Sequence, residues 1–431
     1  MLNIILSILF LYLPFQVALN PIEGIDLASV RLIIPFIFLI WLLQGFKNKK
    51  IIISYNKTTL LILSFLFLSG FSLIMAMNIE WGIRKLLFLL SFFPLYFIVV
   101  TRKYAEAIFI LKFLVWGAFL SAIIGIFQFF LQFIFGINKA IYIWSEVIIP
   151  FLGNSFSEAI LENSSWLVNA GGHTLLRAIA FFPDPHMFSF YLGMSAPIAL
   201  ALYLKVKKNG NLYLISFFII LLANFLTFSR GGYLGIIIGL LFFGLLFFQK
   251  KYFQFKLNLP LKKNIYYNKY FFLSFLTIAF TIIIMTTANP IINRLYSSFD
   301  LTEGSNSERI EIWKKSLEVI NKNPVLGVGL GNYALSIKPS AEYREPIYSH
   351  NLYMDIAVET GVFNAIIFIS FLFFSISNLI KNLNKKNNII YLGLASSLIV
   401  FTVHSIFETA LFSVHILPLF ILIIGLSNIK C

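Results

Sequence analysis

Three arginines and one histidine are the residues of this chain whose types and positions could support chemistry. Arg230 stands in TFSRGGYLG, Arg309 lies four residues before a tryptophan, and Arg177 precedes the turn-like stretch FFPDP. A guanidinium is a planar, permanently charged donor suited to anionic groups. His350, in YSHNLYMD, carries the side chain that exchanges protons near neutral pH. These residue types could hold an anion and move a proton.

Each of these residues also has an ordinary structural interpretation. Arg230 could be an arginine at the membrane interface, although the Gly-Gly pair that follows it would let a ligand approach closely. Arg309 could be a solvated charge on an amphipathic helix. Arg177 could belong to a loop closed by the Asp184-Pro turn, and His350 to the exposed start of a helix. We keep these alternatives open at this point.

The remaining ionisable candidates do not have the spacing of metal ligands. None of His173, His186, His350, His404 and His415 forms an HExxH-like pattern, and the single cysteine excludes an internal disulfide. We therefore expect no metal site. His404 and Glu408 are four residues apart in an apolar stretch, which predicts one helix face carrying either a functional pair or a mutual hydrogen bond.

The composition defines the elements that must position these residues. Of 431 residues 59% are hydrophobic, 50 are Phe and only 12% are charged, a balance typical of a polytopic membrane protein. The net charge of +15 comes from short Lys and Arg clusters between apolar runs, which indicates membrane orientation and not nucleic-acid binding. The basic, aromatic segment 249–270 is interpreted in the same way, as a lipid-facing cytoplasmic loop.

Apolar runs long enough to cross a bilayer predict an all-α fold with about twelve transmembrane helices. The predicted spans lie near residues 2–19, 27–45, 59–77, 83–100, 108–135, 186–204, 212–228, 231–248, 271–288, 362–380, 389–406 and 411–427.

The distribution of Lys and Arg predicts one orientation for the chain, with both termini cytoplasmic. Two long segments then face outward. The predicted organisation is therefore as follows: helices 1–5 in 1–135, a first outward loop in 136–185, helices 6–9 in 186–288, a large outward catalytic loop between helices 9 and 10 in 289–361, and helices 10–12 in 362–431.

The large outward loop has local signals of its own. Ser305 and Glu308 have capping-box spacing, which predicts an amphipathic helix that ends at Asn323. The following GVGLGNY predicts a tight turn, because no βαβ pattern surrounds it to support a dinucleotide site. Ser349 is predicted to cap a second helix that has His350 in its first turn.

Four motifs, in this order and at these separations, resemble the O-antigen ligase and O-antigen polymerase superfamily: FPDPHMFSFYLGMSAP, LTFSRGGYLGIIIGL, RIEIWKKSLEVINKNPVLGVGLGNY and YSHNLYMDIAVETGVFNAIIF. The resemblance covers about residues 175–410. It implies a GT-C-like glycosyltransferase of the bacterial inner membrane, with its active site on the outer, periplasmic face. It implies transfer of a glycan from undecaprenyl pyrophosphate to a hydroxyl acceptor, without a cofactor.

The resemblance also implies roles for individual residues. Arg230 and Arg309 match the arginines thought to bind the pyrophosphate, and His350 matches the proposed general base. Family members often carry Asn where this chain has His186, and Glu408 lies near the late acidic position of the family. With arginines in place of a metal, the implied enzyme is metal-independent, and direct attack by the acceptor would invert the anomeric centre.

A transporter or lipid flippase is the rival class, since twelve spans would suit it equally. A transporter needs ionisable or broken-helix sites near the bilayer midplane, whereas the candidates here cluster at the outer face. We therefore favour an enzyme whose partners are a lipid-linked glycan donor, a glycan or glycolipid acceptor and membrane lipid, without nucleic acid. The acceptor would be lipid A core for a ligase and another lipid-linked glycan for a polymerase, and the sequence leaves both open.

Overall fold

The computed structural model describes residues 2–22, 25–51, 53–162, 165–170, 172–206, 210–256, 304–343, 345, 347–386 and 388–429. Within these residues the chain is mostly helical. The helices of the N-terminal part are α1 (Leu2–Tyr12), α2 (Val30–Lys47), α3 (Lys57–Phe71), α4 (Ile79–Phe92), α5 (Pro94–Val100), α6 (Tyr104–Phe135), α7 (Ile137–Leu152) and α8 (Asn154–Glu162). The later helices are α9 (Pro185–Lys205), α10 (Gly210–Phe225), α11 (Arg230–Lys256), α12 (Gly304–Lys322), α13 (Tyr333–Ile337), α14 (Leu352–Thr360), α15 (Val362–Lys386), α16 (Ile389–His404) and α17 (Ile416–Ser427).

Among the described residues, 7 helical stretches are long and apolar enough to cross a membrane: Val30–Lys47, Lys57–Met75, Ile79–Val100, Tyr104–Phe135, Pro185–Lys205, Arg230–Gln249 and Val362–Asn384. Shorter apolar helices coincide with further predicted spans: Leu2–Phe15, Gly210–Phe225, Ile389–His404 and Ile416–Ser427. The predicted span at 271–288 lies outside the described residues. The chain is thus a membrane protein, and the count of twelve spans stays a prediction.

Helix α9 forms the centre of the bundle. It packs against α6, α10, α11 and α16, and 94% of its apolar window is buried. Glycines permit this close packing: a Cβ on Gly393 of α16 would lie 2.8 Å from the carbonyl oxygen of Pro197. Helices α2, α3 and α11 instead expose large apolar side chains such as Leu43, Phe67 and Leu245. This pattern suits a lipid-facing periphery around a protein-packed centre.

The all-α prediction needs a correction, because two antiparallel hairpins accompany the helices. Strands β1 (Ala18–Ile22) and β2 (Ile25–Ala28) pair between α1 and α2. Strands β3 (Leu167–Ala170) and β4 (His173–Leu176) pair after α8, within the predicted loop 136–185. Each strand has only four or five residues, too few for an alternating apolar pattern to mark it in the sequence.

The N-terminal helices contact the segment that follows α12, although they carry none of the four motifs. Asn78 and Asn332 exchange two hydrogen bonds: the backbone N–H of Asn78 donates to Asn332 Oδ1 at 2.7 Å, and Asn332 Nδ2 donates to the Asn78 carbonyl at 3.1 Å. Lys85 of α4 forms an ion pair with Glu359 of α14 at 2.7 Å. The N-terminal helices therefore help to position the segment that carries His350.

We expect the exposed face of α12 to lie outside the cell, because the Lys and Arg residues of the other segments favour a single orientation. In a Cys431→Ser background, Lys315→Cys should react with an impermeant maleimide in intact spheroplasts. The matched variant Lys381→Cys, also exposed in the structure, should react only after permeabilisation. The reverse labelling pattern would contradict both the topology and an outward active site.

Candidate active site

One cavity of about 180 Å³ brings together five of the predicted site residues: Arg177, His186, Arg230, Arg309 and His404. The rest of its lining is Phe228, Gly231 and Phe407, so none of the described residues that line it is a carboxylate. Its volume is several times the ~30 Å³ of a water molecule, enough for a phosphate-sized group but not for a glycan. A larger groove of about 390 Å³ lies between α3 and α15, and its described lining residues, none of them ionisable, are Leu63, Ser64, Phe67, Leu68 and Ile367.

Arg230 is positioned by the sharp turn between α10 and α11. It is the first residue of α11 and lies two residues after Phe228, whose φ of 51° is left-handed. A Cβ on Gly231 would lie 2.8 Å from His404 Cδ2, so only glycine lets α11 approach α16 this closely. Arg230 is only 9% exposed. This burial argues against the interpretation of Arg230 as an arginine at the membrane interface.

Arg177 lines the cavity but is also bound to the backbone around it. Its Nε donates to the carbonyl oxygen of Thr227 at 2.7 Å, and one of its terminal nitrogens donates to the Ser165 carbonyl at 3.0 Å. Arg177 thereby ties the segment before β3 to the turn that presents Arg230. Its positive charge still adds to the cavity, so it has both a structural and an electrostatic effect.

The predicted turn at Asp184 is the start of α9. Asp184 is the N-cap of α9, and its Oδ1 accepts from the backbone N–H groups of His186 at 2.7 Å and Met187 at 2.9 Å. Burial and the charge of Glu408 together raise the pKa of Asp184 to about 6. The cap fixes the first turn of α9 and places His186 at the cavity.

Arg309 reaches the cavity because α12 packs against the histidine segment. The predicted amphipathic helix is confirmed as Gly304–Lys322, although Ser305 lies inside it and not at its cap. Trp313 Nε1 donates to the carbonyl oxygen of Ser349 at 2.9 Å. This bond turns the face of α12 that carries Arg309 inward, and the half-buried Arg309 lines the cavity.

His350 pairs with Glu408. Its Nδ1 lies 3.2 Å from Oε2 and 3.3 Å from Oε1 of that carboxylate. The Glu408 side chain is 4% exposed and the His350 side chain 28% exposed, so the imidazole is the more accessible partner. The ring of Tyr348 lies 4.3 Å from the His350 ring, measured between centroids. The structure thus provides a histidine oriented by a buried carboxylate, with its second nitrogen turned away from that carboxylate.

The backbone at His350 differs from the predicted one. Asn351, not Ser349, caps α14: its Oδ1 accepts from the N–H groups of Tyr353 and Met354 at 3.1 Å each. His350 precedes the helix and has a left-handed φ of 54°. Non-glycine residues seldom adopt this conformation, which persists only where surrounding contacts hold it.

The predicted pairing of His404 with Glu408 on one helix face is wrong. Helix α16 ends at His404, so the spacing of four residues no longer places the two side chains together. His404 Nε2 instead lies 3.3 Å from Ser229 Oγ, and its ring stacks on Phe190 with centroids 3.6 Å apart. Glu408 is thereby left to His350.

Glu408 and its charged neighbours shift the pKa values of one another. Burial alone would raise the pKa of Glu408, but His350 and Arg309 outweigh it, and the net pKa lies below its usual range. The Glu408 charge, together with burial, raises the pKa of Tyr348 well above its ordinary value. Burial raises the pKa of Asp355 to about 6, although Ser349 and Thr409 donate hydrogen bonds to it. Glu408 is therefore the carboxylate kept ionised beside His350.

The glycine-rich segment after α12 is the tight turn predicted. Gly327, Gly329 and Gly331 all have positive φ. A Cβ on Gly329 would lie 2.5 Å from Cα of Ala76, so the turn packs directly on the N-terminal helices. No group of three or more potential metal ligands occurs among the described residues.

Sequence inspection missed several residues of the site. Ser229 bridges His186 and His404, and Asp355 accepts from the N–H of Ser349 at 2.8 Å. Ser229 belongs to the same SRGG stretch as Arg230, which was the available signal. Asp355 follows His350 by five residues, yet only the fold shows that it holds the histidine segment.

The fold and the site together describe a helical membrane protein with an arginine-lined cavity and a histidine–carboxylate pair. Residues 215–369 match the family model described as O-antigen ligase. This window contains Arg230, Arg309 and His350. This part of the chain is therefore similar to the O-antigen ligase family, and the resemblance predicted from the motifs is confirmed.

The chain is also similar to the ComP-specific O-oligosaccharyltransferase of Acinetobacter baylyi, with 25% identity over 240 residues. The aligned part is 54% of this chain and 40% of that relative. Both matches carry the names of glycan-transferring proteins, and neither is named as a transporter.

Proposed function

We propose that this protein is a glycosyltransferase of the O-antigen ligase or polymerase type, acting on the outer face of the bacterial inner membrane. It would transfer an oligo- or polysaccharide from undecaprenyl pyrophosphate to a hydroxyl acceptor. The observation that carries this proposal is the cavity lined by Arg177, Arg230 and Arg309, adjoining the segment that holds Glu408 and its partner His350.

The arginines suit the charge that develops during the reaction. When the bond between the sugar and the pyrophosphate breaks, negative charge grows on the leaving oxygen. Guanidinium groups held in a buried cavity stabilise this charge more strongly than they would in water. Arg230 and Arg309 are assigned to the pyrophosphate, and Arg177 adds to the positive potential while it holds the Arg230 turn.

The histidine pair suits activation of the acceptor. A histidine that acts as a base carries one ring proton; placed on Nδ1, this proton would be donated to the Glu408 carboxylate, and Nε2 would then accept the proton of the acceptor hydroxyl. The new bond joins the acceptor oxygen to the anomeric carbon, and undecaprenyl pyrophosphate leaves with the electron pair of the broken bond. Direct attack inverts the anomeric centre.

The acceptor decides the type of enzyme. The test is incubation of the purified full-length protein, in nanodiscs, with lipid-linked oligosaccharide. Polymer formed from this donor alone would assign a polymerase, and turnover only after addition of lipid A core would assign a ligase. The Acinetobacter relative is named as specific for ComP, so ComP is a third acceptor to include. No transfer to any acceptor, with intact donor binding, would contradict the proposal.

We expect transfer to proceed in excess EDTA, because arginines are assigned the charge stabilisation that a divalent ion would otherwise supply. The measurement is the initial rate after chelation, compared with the same sample given Mg²⁺ or Mn²⁺. A rate that EDTA abolishes and either ion restores would show that the assignment to arginine is wrong.

A further inference from the structure

Ser229 connects two histidines that have no assigned role. Its Oγ lies 3.0 Å from His186 Nδ1 and 3.3 Å from His404 Nε2. The same oxygen accepts from the N–H of Gly232 at 3.3 Å. Ser229 and His404 are fully buried, and both histidines line the cavity. The three side chains therefore form a continuous chain of contacts along one wall of the cavity.

The direction of the hydrogen bonds follows from His404. Its Nδ1 is buried and has no hydrogen-bond partner among the described residues. A buried N–H without an acceptor costs more than a ring nitrogen whose lone pair is unused, so the proton of neutral His404 belongs on Nε2. Nε2–H then donates to Ser229 Oγ.

The hydroxyl of Ser229 can now donate in only one direction. Its oxygen accepts from Gly232 and His404, which uses both lone pairs, so its single proton points to His186 Nδ1. His186 shares its cavity with three arginines, and a second proton on its ring would add to the like charges already there. Neutral His186 therefore carries its proton on Nε2.

We propose that the path His404–Ser229–His186 holds His186 as a neutral Nε2–H donor to the pyrophosphate, a third and uncharged contact beside Arg230 and Arg309. This inference rests on the proposed function. Members of the family that this chain resembles often carry Asn at the position of His186. The inference gives His186 a positioning role in donor binding. A fixed neutral donor orients a phosphate oxygen without adding charge to a cavity that already holds three cations.

A matched pair of variants tests this donor. The amide nitrogen of His186→Gln can reach the position of Nε2, whereas that of His186→Asn reaches only the position of Nδ1. The measurement is binding of undecaprenyl pyrophosphate to the full-length protein in nanodiscs without acceptor. We expect His186→Asn to weaken binding about 10- to 150-fold, the range of one hydrogen bond to a charged group, and His186→Gln to stay within about fivefold of wild type. Equal binding by the two variants would overturn the inference.

A second measurement does not depend on how the Asn variant folds. In ¹⁵N spectra of protein labelled in histidine, the His186 signal, assigned by its loss in His186→Gln, should show protonation on Nε2 alone. Protonation on Nδ1, or on both nitrogens, would overturn the inference. Arg230→Lys in the same binding assay separates the two proposals. Unchanged binding there would contradict the arginine assignment itself, whereas weakened binding with no His186 effect would refute only the histidine donor.

Discussion

Replacing His350 by alanine is expected to lower turnover on the order of 10² to 10⁴-fold while leaving donor binding near wild type. The alanine removes the nitrogen that would accept the acceptor's proton. It leaves the cavity residues Arg230 and Arg309 in place. The measurements are the initial transfer rate and the affinity for undecaprenyl pyrophosphate, at equal amounts of folded protein in nanodiscs.

His173→Ala is the matched control for this experiment, because His173 starts β4 in the second hairpin and has no assigned role in donor binding or catalysis. Its rate should stay within about twofold of wild type, as expected for a substitution away from the site. Near-normal turnover of the His350→Ala enzyme would show that His350 is only a structural residue ahead of α14. The base would then have to be sought at His186, His404 or Glu408.

Arg230→Lys and Arg309→Lys are each expected to weaken donor binding and turnover by about 1.5 to 3 kcal/mol, roughly 10- to 150-fold. Lysine keeps the positive charge but loses the planar pair of donors that binds two phosphate oxygens at once. Both arginines line the same cavity, so their effects should not add in the double variant if they hold one pyrophosphate. The measurement is a double-mutant cycle on binding of undecaprenyl pyrophosphate.

Arg84→Lys provides the control for the arginine variants. The Arg84 side chain is 48% exposed, forms a surface ion pair with Glu80 and lies over the ring of Tyr343. Exposed ion pairs contribute little, so donor binding should be unchanged. Additive losses in the cycle would mean that Arg230 and Arg309 act on different groups, and unchanged binding in both single variants would remove the pyrophosphate site from this cavity.

Much of the site could be predicted from the sequence because its residues are costly for a membrane protein to retain. An arginine between two apolar spans and an arginine on a capped amphipathic helix stand out against a chain with 12% charged residues. The helical class followed from apolar runs, since a bilayer forces backbone groups to hydrogen-bond within their own segment. The helix Gly304–Lys322 was predicted from local sequence signals, although Ser305 is not its cap, and the glycine turn after it followed from local turn chemistry.

Pairings between distant residues could not be predicted, because they depend on where helices end and how they pack. The spacing of His404 and Glu408 suggested a pair on one helix, but α16 stops at His404. The carboxylate then meets His350, 58 positions away in the chain. The role of Ser229 between two histidines has the same origin, since α9, α11 and α16 must converge before one hydroxyl can touch both rings.

By itself, the sequence determined that this is a helical membrane protein with cationic and histidine candidates in an O-antigen ligase-like arrangement. It did so because apolar length, cap residues and isolated charges are local properties that can be recognised without knowledge of the fold. Only the tertiary structure decided that Arg177, Arg230 and Arg309 share one cavity and that Glu408 orients His350. These arrangements of side chains depend on the close approach of helices at positions such as Gly231, where a single added methyl group would separate the elements that form the site.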